Sequence, residues 1–198
     1  MNQSKKERTR KEIIQAAKDI VHDKGYEFVT VRHLAEVTGY SYTNLYYYFK
    51  DLNTLLWVLR LDMIEDMIAE ITSVTFTSDD PVEEIMDVFF CYTDYFFKHP
   101  KAFRFFYFYA FVQPEADDSF RKLEERFSGM WQTSFSKLAQ SGIIGSNDIE
   151  VVAKTIIYAL LGMIMLSFSS NGTAKQDDIN EETAKLINFL LNKNKDNL

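Results

Sequence analysis

Thr30-Val31-Arg32-His33-Leu34-Ala35-Glu36-Val37-Thr38-Gly39-Tyr40-Ser41-Tyr42-Thr43-Asn44-Leu45-Tyr46-Tyr47-Tyr48-Phe49-Lys50 divides at a glycine into two short helical patterns. The first runs from about Val31 to Val37 behind Thr30 as N-cap, with Leu34, Ala35 and Val37 turned inward. Small Ala35 lets another helix approach closely. Gly39 supplies the left-handed backbone that a sharp turn requires. Ser41 is a good N-cap for the second helix, Tyr42 to Tyr48, in which Leu45, Tyr48 and Phe49 pack on the first helix. Tyr42, Thr43, Asn44, Tyr46 and Tyr47 then remain outside as a polar, aromatic set rich in hydrogen-bonding groups. An ordinary αα-corner shares the same turn, so the flanking sequence has to decide between the two.

On the N-terminal side, residues 4–24 carry Ile13, Ala16, Ala17, Ile20 and Val21 on one helical face, with a basic start and Gly25 as terminator. On the other side, Leu52, Leu55, Leu56 and Leu59 recur at helical spacing and give a small core its third wall. That fourth helix is predicted to continue to about Val74 through Met63, Ile64, Met67, Ile68 and Ile71. Pro81 suits the first turn of the next helix. Residues 82–98 and 101–112 supply two more, divided at His99-Pro100. A long helix is predicted from Pro114 and the acidic Glu115-Ala116-Asp117-Asp118 to about Gln140, then helices over 147–169 and 179–193. The expected fold is therefore all-α, with about nine helices. A helix-turn-helix domain occupies residues 1–50, a linking helix covers 51–75, and a larger helical domain fills out 51–198.

Residues 8–60 resemble the N-terminal DNA-binding domain of the TetR family of bacterial transcriptional regulators. The likeness rests on Ile14, Ala16 and Ala17, Gly25-Tyr26, Phe28, Thr30-Val31-Arg32, Leu34-Ala35, Gly39, Ser41 and the run Leu45-Tyr46-Tyr47-Tyr48-Phe49-Lys50. It implies double-stranded DNA, in the form of a palindromic operator, as partner. By matching position, Arg32 reaches a base or a phosphate, and arginine can pair with guanine through its fork. Thr43 and Asn44 sit on the leading turn of the reading helix, where asparagine can pair with adenine. Tyr42, Tyr46 and Tyr47 offer hydroxyls to phosphates and ring faces to thymine methyls. Lys50 resembles a phosphate clamp beside the N-terminus of the fourth helix. Many relatives carry a second lysine two positions later, where this chain has Leu52.

A net charge of −7 opposes DNA binding at first sight. Its distribution removes the conflict. Residues 1–60 hold ten Lys and Arg against seven Asp and Glu, a balance of +3 that leaves −10 for the remainder. Lys5, Lys6, Arg8, Arg10 and Lys11 make a basic cluster fit for phosphates. Seven Gly and three Pro in 198 residues suit a mostly helical chain. The single cysteine, Cys91, makes no internal disulfide, which fits a reducing cytoplasm. The N-terminus reads as an amphipathic helix and not as a secretory signal. The longest apolar run, Ile156 to Leu166, is short for a bilayer and reads as a buried helix, with no membrane partner. His22, His33 and His99 are scattered, and no metal-ligand spacing, catalytic constellation or cofactor motif is present in the sequence. His22 is expected to cap the end of the first helix.

Between Phe89 and Phe111 the chain holds more aromatic rings than one helical face can hide. They read either as a packed core or as the wall of a pocket for a small hydrophobic effector, since such pockets are mostly apolar with a few polar anchors. The candidate ligand residues are Tyr92, Tyr95, Phe96, Phe106, Tyr107, Tyr109 and, from a later helix, Trp131. The resemblance further implies a homodimer through the helices near 147–169 and 179–193, which brings two reading helices to successive half-sites. The expected activity is that of a homodimeric repressor released from its operator by the effector. The alternatives are a DNA-binding regulator controlled by a protein partner, and a helical-bundle enzyme.

Overall fold

Local chemistry sets the ends of the short N-terminal helices, where Thr30 and Ser41 supply side-chain caps. The computed structural model describes residues 3–74, 78–112, 118–169 and 171–193. Among these residues it contains nine α-helices and one 3-10 turn, with no strand. The helices are α1 (Gln3–Asp23), α2 (Val31–Thr38), α3 (Tyr42–Tyr48), α4 (Leu52–Ser73), α5 (Pro81–Lys98), α6 (Pro100–Phe108), α7 (Ser119–Gln140), α8 (Ile149–Ser167) and α9 (Gln176–Lys193). The 3-10 turn, Tyr26–Phe28, follows Gly25, whose φ of 107° breaks the first helix.

The chain forms two compact units, Met1–Met67 with His99–Leu123, and Ile68–Lys98 with Glu124–Leu198. In the first, α1 contributes Ile13, Ala17 and Val21, α2 Leu34, α3 Leu45 and α4 Leu55 and Leu59 to a buried core. Lys18 ties α1 to α4 by reaching both Asp62, at 2.5 Å, and Asp66. Burial lowers the pKa of this lysine, but the hydrogen bonds and charges of the two carboxylates outweigh it and hold the group above its ordinary value. Helix α6 packs against α1 and the 3-10 turn. Phe105 is buried there, with the Tyr26 ring 5.9 Å away and Tyr109 a further ring in contact with both. The Lys101 ammonium donates to the Asp23 carbonyl at the end of α1.

In the second unit, α9 packs on α5 and α8. Phe89 and Trp131 stack at 4.6 Å between ring centres, joining α5 to α7. Glu84 of α5 accepts from Lys137 at 2.6 Å and from the buried Ser134 at 3.1 Å. Val152, Ile156, Leu160 and Ile164 recur every four residues and are the buried stripe of α8.

Several expectations change. Val37 is exposed, since it lies past the inward stripe of α2. Helix α6 stops at Phe108, where Tyr109 turns extended, and the expected 101–112 helix is shortened accordingly. The Pro114 start of the next helix lies outside the described residues, which show α7 from Ser119. Helix α8 is not wholly buried: Val151, Tyr158, Met165 and Leu166 face outward. At 19 residues it is also longer than the apolar run read from the sequence and, by length and composition, sufficient to cross a membrane. His22 is the basic residue of the last turn of α1, and its ring lies edge-on to His99 with centres 4.7 Å apart.

Candidate nucleic-acid interface and aromatic core

Side-chain caps set the geometry of α2 and α3. Thr30 Oγ1 accepts from the His33 backbone N–H at 3.1 Å, and Ser41 Oγ accepts from that of Asn44 at 3.2 Å. Between them Gly39 adopts φ 71° and donates its N–H to the Ala35 carbonyl at 3.0 Å, closing α2. Thr38 Oγ1 donates back to the Leu34 carbonyl at 2.6 Å and accepts from the Tyr40 N–H at 3.3 Å. The turn is thus fixed by main-chain and side-chain bonds on both sides of the glycine.

Buried Leu45 and Phe49 anchor α3, a helix of only seven residues. Its opposite face leaves Tyr42, Thr43, Asn44, Tyr46 and Tyr47 exposed together. Asp51 Oδ1 accepts from the Thr54 N–H at 2.6 Å and so caps α4; that bond, with a second from the Thr54 hydroxyl, holds the carboxyl below the usual carboxylate range. Lys50, just ahead of this cap, is exposed. Arg32 is also exposed, but its Nε donates to Glu36 at 2.9 Å, which keeps the guanidinium firmly charged and partly committed.

Two cations of α1 lie beside α3. The Lys6 ammonium sits 5.1 Å from the centre of the Tyr47 ring, and the Arg10 guanidinium 5.1 Å from that of Phe49. Tyr40 donates to Glu12 at 2.5 Å, joining the turn to the same face of α1. Sequence reading found these cations as a basic cluster without singling out Lys6 and Arg10, since only the packing of α1 on α3 selects them.

The seven candidate ligand residues divide between the two units. Tyr92, Tyr95, Phe96 and Trp131 belong to the second, where Tyr92 contacts Phe96 at 4.9 Å and Trp131 at 5.5 Å, and Tyr95 contacts Phe96 at 5.3 Å. All four are buried. Phe106, Tyr107 and Tyr109 belong to the first unit: Phe106 is buried, Tyr107 exposed, and Tyr109 half-buried with its phenol pushed up by burial. Trp131 also lines a cleft of about 370 Å³ between α7 and α8. The pairing of His22 with His99 was not visible in the sequence, where 77 positions separate them.

Comparison with known proteins agrees with this geometry. Residues 13–56 match the model of the bacterial regulatory proteins of the tetR family. No curated protein matches the chain in sequence. Among solved structures, RolR in complex with its ligand resorcinol superposes with a TM-score of 0.70 at 17% identity, covering 95% of this chain and 90% of that one. The TetR family regulator PfmR from Thermus thermophilus gives 0.64 at 20% identity, covering 88% and 96%. The superantigen PfiT gives 0.70 at 18%, covering 89% and 94%. At such identities the likeness establishes the fold, and the breadth of these names is a reminder that fold and function are separate. Residues 13–56, running from α1 into α4, thus match the domain model of the bacterial regulatory proteins of the tetR family, and the helical fold around them is the one these solved structures share.

Proposed function

We propose that the protein is a homodimeric repressor that binds a palindromic operator and releases it when a small hydrophobic or aromatic molecule binds the second unit. The observation that carries this reading is the face of α3, where Tyr42, Thr43, Asn44, Tyr46 and Tyr47 project together beyond the buried Leu45 and Phe49. Amide, hydroxyl and ring groups at that spacing suit the donor, acceptor and methyl pattern of a major groove. Asn44 and Thr43 are assigned to base edges. Lys50, Lys6 and Arg10 are assigned to phosphates, where they fix register without reading sequence. Arg32 exchanges Glu36 for DNA on docking.

Dimerisation is assigned to the outward face of α8 with α9. Val151, Tyr158, Met165, Leu166 and Phe189 are large apolar side chains left in water by a single chain. A Cβ placed on Gly162 would meet nothing within 4 Å, so its lack of a side chain serves no contact within the chain. A two-fold partner helix laid across that face would use both the apolar residues and the gap. Two α3 helices held about one turn of DNA apart would meet the successive half-sites of such an operator. Helix α4 includes residues of both units, and it is the covalent route by which a ligand bound in one alters half-site separation in the other. Effector control is supported by the aromatic content of the second unit and by the RolR structure, which holds a small aromatic ligand in the same fold.

The deciding experiment is selection of bound fragments from the source genome by the purified full chain, at two salt concentrations, alongside an Arg32→Ala, Asn44→Ala double variant. The expected result is a two-fold-symmetric site that the wild type enriches and the variant loses. Enrichment that the variant retains unchanged, or none at either salt concentration, would sink the reading.

A further inference from the structure

The cleft between α7 and α8, in the second unit, is lined in part by two rings that pack on Phe89, those of Trp131 and Phe135. Trp131, stacked on Phe89 and edge-on to Tyr92, turns toward the cleft, with Phe135 beside it. Ala153 and Ile157 of α8 face them. Gln132 of α7 brings an amide to the opening, and Glu150 and Lys154 form an ion pair at its α8 side.

We infer that this cleft is the effector site and that it takes a neutral, one- or two-ring aromatic molecule bearing hydroxyl groups. This rests on the regulatory reading above and names its ligand class. Size excludes a helical peptide. The cleft measures about 370 Å³, within the range of small-molecule pockets. A single turn of helix about 10 Å across and 5.4 Å long already fills roughly 420 Å³. Charge selects among small molecules. Glu150 and Lys154 neutralise one another, so an anion or a cation entering the cleft gains no net attraction and gives up its hydration. A hydroxyl arene gives up less. Its ring lies against Trp131, Phe135 and Ile157, while its oxygens accept from Lys154 or Gln132 and donate to Glu150.

Position separates this site from the dimer face. At about 100° per residue, the side of α8 carrying Ile149, Ala153 and Ile157 is centred roughly 140° around the helix from that carrying Val151, Tyr158 and Met165, with Lys154 at the border between them. A partner seated on the latter leaves the apolar wall of the cleft uncovered and borders it at Lys154. Through Trp131 the ligand also touches the packed rings of α5, so the occupied cleft is coupled to the core of its unit and not only to its surface.

The test uses the full chain labelled with 5-fluorotryptophan. Its two indoles, Trp57 and Trp131, give separate fluorine resonances. Resorcinol, benzoate and phenyltrimethylammonium serve as neutral, anionic and cationic probes, and binding is followed by calorimetry and by those resonances. Resorcinol is expected to bind tightest and to shift the Trp131 resonance while leaving that of Trp57 in place. Ala153→Phe, which fills the cleft, is expected to weaken that binding at least tenfold while helicity and operator affinity stay unchanged. Gln132→Leu, at an exposed position, should weaken it several-fold and is informative should Ala153→Phe fold poorly. A charged probe binding more tightly, a shift at Trp57 alone, no probe bound at millimolar concentration, or resorcinol affinity unaffected by both variants would each overturn the inference. So would binding in the cleft that leaves operator affinity unaltered. Failure of the ligand-free wild type to select any operator counts instead against the regulatory reading, so the two failures are told apart.

Discussion

At the scale of single residues, the interface is held in shape by groups that never face outward. Gly39 shows this most directly. Its φ of 71° lies where an L side chain is strained, yet a Cβ there would meet nothing within 4 Å. Gly39→Ala therefore isolates backbone strain from steric clash. It should cost about 1 kcal/mol and lower Tm by about 2–4 °C, whereas Gly39→Asn, which tolerates the left-handed region better, should cost less; thermal unfolding followed by circular dichroism checks both. His22 tests a different balance. Burial lowers its pKa below 6.5, and the neighbouring His99 and Lys18 lower it further, against a weaker opposing pull from Asp19 and Asp23. Its Nδ1 finds no hydrogen-bond partner among the described residues. Between the depressed folded pKa and the unfolded value near 6.5, the unfolded chain binds more protons at this position, so stability rises with pH there. Above 6.5 both states are neutral and the slope vanishes. His22→Phe keeps a ring against His99 and removes the titration. Denaturant unfolding at pH 7.5, 6.5 and 5.5 should show wild-type stability falling toward the acid end more steeply than that of the variant. Equal slopes would show that other groups set the pH dependence.

At the scale of elements, α1 and α3 act as one surface. Lys6 against the Tyr47 ring and Arg10 against Phe49 place two cations at the flank of α3. If they meet phosphates, Lys6→Ala and Arg10→Ala should each weaken binding to operator and unrelated DNA alike, and each should make the dependence of log K on log salt shallower by about one. Asn44→Ala should instead relax preference at one base pair of each half-site, at a cost of roughly 1–3 kcal/mol. Fluorescence anisotropy across a salt series, with single-base operator variants, separates the two patterns. Much of this surface was legible in the sequence because its signals are local: Thr30, Gly39 and Ser41 each act within three or four residues, and Leu45 and Phe49 announce which side of α3 is hidden. The partnership of Lys6 with Tyr47 was not, since it depends on how α1 crosses α3. The docking of α6 on α1 was missed for the same reason. Nothing local in Pro100–Phe108 says that Phe105 will meet Tyr26, or that Lys101 will close the end of α1. The apolar run Ile156 to Leu166 was read as buried and the whole helix as part of a dimer face, because periodicity reports how much of a helix is apolar and not what covers it.

At the scale of the whole molecule, the question is what an outward apolar face does for a reader of DNA. A seven-residue reading helix touches few base pairs, and the charge of −7 over the chain works against loose association with phosphates. Two such helices joined rigidly gain by effective concentration what each lacks in contact. On the proposed dimer, Gly162 offers a way to cut the joint without touching the fold. The space over it is empty within the chain, so an arginine there displaces no neighbour, yet it would set a charge in the middle of the face formed by Val151, Tyr158 and Met165. Gly162→Arg should therefore leave helicity unchanged, since the gain in helix propensity over glycine offsets any local cost. Sedimentation should show the wild type at twice the mass of a single chain and the variant at one. Operator affinity should fall on the order of a hundredfold, while affinity for an isolated half-site stays as it was, because α3 itself is untouched. A variant that remains dimeric, or a wild type that sediments as a single chain, would remove α8 as the joint. A variant that loses half-site binding as well would instead tie α8 to the shape of the reading surface itself.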